Sequence, residues 1–306
     1  MTELRVTHQS TVTEDQIDHL GHMNVRFYGI NAQRGTSSLL DELGLDQHQL
    51  RLDDLYTRHH REQMLGTHLT VRSGLIDADP GRVRIYHELV DLEHDVLAAT
   101  FVHGLTPVGP DAGRPELSAA QVERLLAETV AVPPHGASRS IDLDADPLSV
   151  APTLDLVRAR GLEMREPRLV TAEECGPDGF VTPDLAPMLT WAGTPVGRSA
   201  RGDKLHDGPN GEKMGWAAME TRMRTPRLPA LGDEIQSFSA LIDLADKTTH
   251  RLHWAFDLVR GDLLTSFETV SLAFDTVGRR PMSIPQWIRD GEAATLQPDL
   301  APRTCA

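Results

Sequence analysis

Residues 13–33 read TEDQIDHLGHMNVRFYGINAQ, and the reading of this stretch decides the fold of the whole chain. Asp18, Gly21, His22 and Asn24 stand close together, directly ahead of a run that reads as a helix from Val25 to about Leu43. An acid, an imidazole, a glycine and a capping amide are thus gathered at the mouth of one helix. A helix mouth offers backbone N–H groups that have no intrahelical acceptor, and a partial positive charge with them. A strand pattern, LRVTHQSTV, precedes the turn, and extended segments follow the helix: LYTRHHREQM, THLTVRSGLID, RVRIYHELVDL and VLAATFVHGLTPV. One helix followed by a run of strands is an α+β pattern, not an alternation of strands and helices.

The same order recurs in the second half. PRLVTAEE leads into the polar turn CGPDGFVT, and a helical run is expected from Pro183 to about Arg198. The extended segments GWAAMETRMRT, DEIQSFSALIDLAD, THRLHWAFDLVR and LLTSFETVSLAFD then follow. Period-two alternation puts Val83 and Ile85 on one face, and likewise Leu252, Trp254 and Phe256. Short matches support a duplication: YTR (56–58) with ETR (220–222), LGT (65–67) with LGD (231–233), and SGLIDADPGRVRIYHEL (73–89) with SALIDLADKTTHRLHWAFDL (239–258). Between the halves the chain is rich in Pro, Gly, Ala and Asp, interrupted by the amphipathic stretch SAAQVERLLAETV. The expected organisation is an N-terminal unit over 1–130, a linker over 131–165 and a C-terminal unit over 166–306.

Composition bounds the partners. The 306 residues carry a formal net charge of -15, which argues against nucleic acid or an anionic membrane as main partner. TRHHRE (57–62) and GRSARGDK (197–204) are basic patches that read as solvated surface. No apolar run is long enough for a transmembrane helix, and the first residues, MTELRVTHQS, lack the pattern of a signal peptide. The two cysteines, Cys175 and Cys305, make no disulfide framework, so a cytoplasmic location is expected. The histidines 59, 60, 68 and 87 fit no standard zinc spacing, and there is no phosphate loop, dinucleotide fingerprint or G-x-S-x-G elbow. No metal and no cofactor are expected.

The word Asp18-x-x-Gly21-His22-Met23-Asn24, followed by Tyr28 and a helix ending LLDELGL, resembles the hotdog-fold acyl-CoA thioesterases, nearest to the 4-hydroxybenzoyl-CoA thioesterase-like branch. The resemblance implies a long antiparallel sheet wrapped around a central helix, and the duplication then implies a double hotdog in one chain. It also implies hydrolysis of an acyl-CoA, or of an acyl-carrier-protein thioester, to a free acid and a thiol. An acidic carrier would be repelled by an acidic chain, which favours CoA esters. Hotdog pairs often assemble further, so a homo-oligomer of such chains fits the resemblance.

Thioester hydrolysis needs an attacking carboxylate or a base for water, a group that holds it, and donors facing the developing oxyanion. Asp18 is the expected nucleophile or general base, which matches the residue type and place that the family uses. His22 and Asn24 are expected beside it, the first to hydrogen-bond Asp18 or the thioester and the second as helix cap and water ligand. Gly21 leaves room for substrate, the backbone amides near Met23 to Val25 form the oxyanion hole, and Tyr28 lines the acyl pocket. In the second half Gly176, Phe180 and Thr182 stand where Asp18, His22 and Asn24 do, so that site is degenerate. Glu220 and Arg222, with Trp216, are the expected contribution of that half to the pocket lining. Two other readings remain open from sequence: a hotdog hydratase or dehydratase on an enoyl or hydroxyacyl thioester, and a non-catalytic acyl-CoA-binding protein.

Overall fold

A computed structural model of the chain describes residues 3–18, 20–109, 115–150, 152–190, 194–196, 205–208, 211 and 213–304. Its contacts divide the chain into one unit of Met1–Ser138 and another of Arg139–Ala306.

In the first unit the central helix α1 (Val25–Glu42) starts where Asn24 precedes a run free of proline. The Asn24 side chain accepts the Arg26 N–H at 2.9 Å and so caps the first turn. The buried residues of α1 are Tyr28, Asn31, Ala32, Gly35, Thr36, Leu39 and Leu40, a stripe at helical spacing. Around it lie β1 (Arg5–Thr11), β2 (Leu50–His59), β3 (His68–Asp79), β4 (Arg82–Asp91) and β5 (Val96–Pro107). They form one antiparallel sheet in the order β1-β3-β4-β5-β2. The late part of α1 and its C-cap pack Leu39, Leu40 and Leu43 against Leu75, Val83, Ile85 and Leu105. Its early part packs Tyr28 and Ala32 with Met23, Val71, Leu89 and Phe101. Contact is close at Gly35, where an added Cβ would stand 2.7 Å from Val71 Cγ1. A short helix α2 (Ala119–Leu126) follows β5, opened by the capping box of Ser118 and Gln121.

The core of this unit also holds polar groups. Thr36 Oγ1 lies 3.0 Å from His87 Nε2 and 2.8 Å from His103 Nδ1. His87 Nδ1 is 2.6 Å from Ser73 Oγ, which is 2.6 Å from Thr7 Oγ1. Each hydroxyl and each neutral imidazole here can give one proton and take one, so the chain of bonds closes without a buried charge. Burial holds His87 well below its ordinary pKa, and His103 at about 3.

The second unit begins with β6 (Ala145–Asp146) and the short helix α3 (Leu154–Ala159). The strands β7 (Glu163–Arg165) and β8 (Arg168–Leu169) both pair with β12, and β9 (Pro195–Val196) pairs with β7. β10 (Leu205–Asp207) pairs with β11 (Lys213–Arg224). The main sheet runs β11-β14-β13-β12, with β12 (Glu234–Leu244), β13 (Thr248–Asp257) and β14 (Leu263–Asp275) all antiparallel. β15 (Arg280–Pro281) turns back to pair antiparallel with β14, α4 (Gln286–Ala293) follows, and β16 (Arg303–Thr304) pairs with β6. Val157, Leu162, Phe238, Leu252, Trp254 and Phe256 form its core.

The α+β architecture and the main strands of both halves agree with the sequence reading. The helical run expected from Pro183 to about Arg198 is not seen among the described residues of that stretch. Among the described residues that stretch holds only a 3-10 turn at Ala186–Thr190 and the strand β9. Pro187 removes a helical N–H donor, and Pro195 is drawn into pairing with Arg165. Residues 131–165, read as a linker, divide between the two units. In the first, Arg58 Nη1 donates to Ala137 O at 2.7 Å, and the His135 imidazole meets Glu88 Oε1 at 2.6 Å. The strand bulges also correct one sequence match. β2 bulges between Leu52 and Asp54, and β11 between Ala218 and Glu220. Asp54 therefore corresponds to Glu220, and YTR is not the counterpart of ETR.

Candidate active site

The turn that opened the reading of the sequence is built by its own backbone. Thr13 and Gln16 close a capping box around the 3-10 turn Glu14–Gln16. Ile17 and Met23 then form an antiparallel bridge, and the Asp18 N–H donates to His22 O at 2.9 Å. Gly21 donates to Asp18 O at 3.0 Å and Asn24 to Gln16 O at 2.9 Å. Gly21 has φ +84°, the left-handed region that glycine enters without strain. An added Cβ there would meet nothing within 4 Å, so it is the conformation, not a crowded neighbour, that requires glycine.

This turn brings Asp18 and His22 together. Asp18 Oδ1 accepts the Leu20 N–H at 2.8 Å, while Oδ2 lies 3.5 Å from His22 Nδ1. Both side chains are largely buried, at 17% and 15% exposure, but neither is sealed from solvent. The other imidazole nitrogen, Nε2, lies 3.6 Å from Glu62 Oε1. Sequence reading missed Glu62, which sits at the end of the stretch taken for a basic patch. An acid placed so far along the chain gives no local signal.

The expected oxyanion donors are only partly available. The Met23 N–H donates to Gln63 O at 2.7 Å and the Asn24 N–H to Gln16 O, so both amides are committed. The Val25 N–H, the first of the helix proper, has no acceptor among the described residues. Tyr28 also departs from its expected role as pocket lining. It is 3% exposed, its hydroxyl donates to Arg61 O at 3.1 Å, and its ring meets His59 edge-on with centroids 5.2 Å apart. Burial pushes the Tyr28 hydroxyl up, with Glu62 and Asp18 adding to the shift against the opposing backbone contact at Gln63. Burial, and then His60, hold His59 at about 4. Tyr28 therefore pins the segment after β2 onto the helix. Exposed apolar side chains flank the turn: Leu20 and Val25 within it, and Met64 and Leu65 next to Gln63.

Glu220 and Arg222 do not present free polar groups to a ligand. Both are 3% exposed. The Glu220 carboxylate accepts the N–H groups of Arg139, Ser140 and Ile141, and Arg222 Nη1 donates to Asp142 O and Ala145 O. Together they hold the first residues of the second unit against β11.

The second unit repeats the turn in full backbone detail. Thr171 and Glu174 close the same capping box, Cys175 and Val181 form the same bridge, and Gly176 donates to Phe180 O at 2.8 Å. Gly179 has φ +80°, Thr182 donates to Glu174 O, and Val181 donates to Pro229 O as Met23 does to Gln63 O. The scaffold is retained, and Asp18 and His22 are replaced by Gly176 and Phe180. Among the described residues no group of three or more His, Cys, Asp or Glu is placed to hold a metal ion. No helix among them is long and apolar enough to cross a membrane. The second basic patch, 197–204, lies outside the described residues.

The fold so defined is the hotdog, present as two units in one chain. Solved structures with this architecture include the 12:0-ACP thioesterase from Umbellularia californica, at 8% identity and TM-score 0.62, over 87% of this chain and 93% of that one. A protein assigned as an oleoyl thioesterase from Lactobacillus plantarum matches at 11% identity and TM-score 0.62, over 89% and 96%. An acyl-ACP thioesterase from Bacteroides thetaiotaomicron matches at 8% identity and TM-score 0.58, over 86% and 96%. No curated protein matches the chain in sequence. The model of the thioesterase-like superfamily matches residues 12–137. The chain thus has the double-hotdog fold, and residues 12–137 are similar to the thioesterase-like superfamily.

Proposed function

We propose that the protein hydrolyses an acyl-CoA thioester at the Asp18 turn, with Asp18 as nucleophile or as general base for water. The observation that carries this reading is the pairing of the Asp18 carboxylate with His22 at the mouth of α1, where the Val25 N–H has no acceptor among the described residues. One Asp18 oxygen is anchored by the Leu20 N–H, which leaves the other directed toward the imidazole. Attack on the thioester carbon raises negative charge on its oxygen, and the Val25 N–H with the helix N-terminal field would stabilise it there. As the tetrahedral species collapses, the C–S bond breaks and the thiolate leaves, taking a proton from solvent or from the imidazole. In the nucleophilic form a mixed anhydride with Asp18 results, and water hydrolyses it. In the general-base form water adds directly and gives its proton to Asp18. The exposed Leu20, Val25, Met64 and Leu65 suit the apolar part of an acyl group. The net charge of -15 favours a CoA ester over an acidic carrier protein.

The test is thiol release from a panel of short, long and aromatic acyl-CoAs, comparing wild type with Asp18→Asn. The amide is nearly isosteric, so the fold survives while the attacking or proton-accepting oxygen is lost. The expected loss is about a hundredfold or more in kcat. Equal activity in the variant, or no thiol released from any ester by the wild type, overturns the reading.

A further inference from the structure

The second unit holds a cavity of about 700 Å³, a volume within the range of small-molecule sites. It lies at β12, where that strand meets β7, the end of α3 and the residues after α4. The Gln297 N–H donates to Leu241 O at 2.7 Å and so fastens the residues after α4 along β12. The apolar wall consists of Val157, Leu162, Phe238 and Leu241, all buried.

The charges around this cavity are balanced except for one. Arg160 pairs with Asp299 at 2.7 Å and donates to Gln297 Oε1 at 2.9 Å. Glu163 meets Arg251 at 3.2 Å, and Arg251 also pairs with Glu292. Arg158, exposed at the end of α3, forms no ion pair among the described residues.

A polar group is built into the wall as well. Ser239 is the counterpart of Ser73. Each stands opposite an imidazole on the neighbouring strand, Ser239 Oγ at 2.7 Å from His253 Nδ1 and Ser73 Oγ at 2.6 Å from His87 Nδ1. Ser73 is sealed beneath α1: it is 0% exposed, and a Cβ added to Gly35 would stand 3.1 Å from its hydroxyl oxygen. Ser239 is half-buried and forms part of the cavity wall. The other nitrogen of His253, Nε2, lies 3.2 Å from Thr269 Oγ1. Burial, and then Arg251 and Arg165, hold His253 at about 3, so the pair brings no charge to the wall. A hydroxyl gives one hydrogen bond and takes two, so Ser239 keeps capacity for a further partner.

We infer that this cavity binds a carboxylic acid with an apolar body. The carboxylate lies at Arg158, the body lies against Val157, Leu162, Phe238 and Leu241, and Ser239 is a hydrogen-bond partner in the wall. A guanidinium presents a planar fork that matches the two oxygens of a carboxylate. One unbalanced cation beside an apolar wall suits a monoanion. A phosphate ester would bring a second charge with nothing to balance it, and a cation would be repelled. The acid that thioester hydrolysis would release has this chemistry, but the site is read from its own residues and its test does not depend on Asp18.

The experiment is isothermal titration calorimetry of the full chain with octanoate, and with 1-octanol as the uncharged comparison. Octanoate is expected to bind one-to-one, and 1-octanol about tenfold more weakly. Arg158→Ala should raise the octanoate Kd about tenfold, on the scale of one hydrogen bond to a charged group, and leave 1-octanol unchanged. Arg158→Lys, which keeps the charge but not the fork, recovers part of the loss. Ala294→Trp fills the cavity from an exposed position at the end of α4 and should abolish binding of both ligands. Both positions are exposed, so Tm stays at the wild-type value. The inference is overturned if the wild type does not bind octanoate or binds 1-octanol equally well. It is also overturned if Arg158→Ala or Ala294→Trp binds octanoate as the wild type does.

Discussion

Replacing Thr36 by Val tests whether the polar chain inside the first unit sets the seat of the central helix. The two side chains have almost the same shape, so the change removes one hydroxyl and opens no large cavity. Thr36 Oγ1 is the shared partner of His87 Nε2 at 3.0 Å and His103 Nδ1 at 2.8 Å. Both imidazoles are buried, at 0% and 1% exposure, so water cannot take the place of the hydroxyl. A buried polar atom left without its partner costs about 1–3 kcal/mol. Two such atoms give an expected destabilisation of about 2–6 kcal/mol, less whatever the new methyl group returns by packing. For a unit of this size that is a fall in Tm on the order of 10 °C. Thermal and urea unfolding of the full chain, followed by circular dichroism at pH 7.5, would read it. A Thr36→Ser control keeps the hydroxyl and is expected to lose much less. A Thr36→Val protein as stable as wild type would show that the hydroxyl carries no weight in the core, and the reasoning would be refuted.

Two further outcomes follow from the buried groups. Burial holds His87 well below its ordinary pKa and His103 and His253 at about 3, so all three stay neutral in the folded chain. The unfolded chain binds protons to them near pH 6.5, so their contribution is complete above that pH and is lost as the pH falls toward the folded values. Each loses about 1.4 kcal/mol per pH unit in that window, or about 2 kcal/mol at pH 5. Tm measured from pH 7.5 to 5 should fall steadily, and a flat profile would count against neutral burial. Glu220→Gln should weaken the hold on the N–H groups of residues 139–141 by about 2 kcal/mol. Faster proteolysis within 139–145 is the expected sign, and an unchanged cleavage rate would show that the carboxylate charge is not what holds this segment.

The part of the molecule legible in the sequence is the part set by local physics. The cap at Asn24, the turn at Gly21 and the helix behind them all depend on neighbours within a few residues, and they form as read. The main strands were visible because alternating burial leaves a period of two in the side chains. The second-half helix was misread because its resemblance in layout to the first half outweighed Pro187 and Pro195, whose backbones cannot complete the helical bonds. Glu220 and Arg222 looked like candidates for a pocket because a pair of opposite charges on a strand can face either way. Their burial against residues 139–145 depends on where the chain returns, which spacing along a strand does not encode.

By itself the sequence determined that the chain is a duplication, that each copy has a strand, a glycine turn and a sheet, and that one copy keeps the Asp18 and His22 pair while the other has lost it. Only the tertiary structure decided what stands next to the pair. Glu62 reaches His22 because β2 ends where Gln63 can accept the Met23 N–H, a contact between segments some forty residues apart. The tertiary structure likewise spent the Met23 and Asn24 amides on Gln63 and Gln16 and left Val25 as the amide at the helix mouth. The reason is general: local preferences select a turn or a strand, but a hydrogen-bond partner far along the chain is chosen by packing, and packing exists only once the chain has folded.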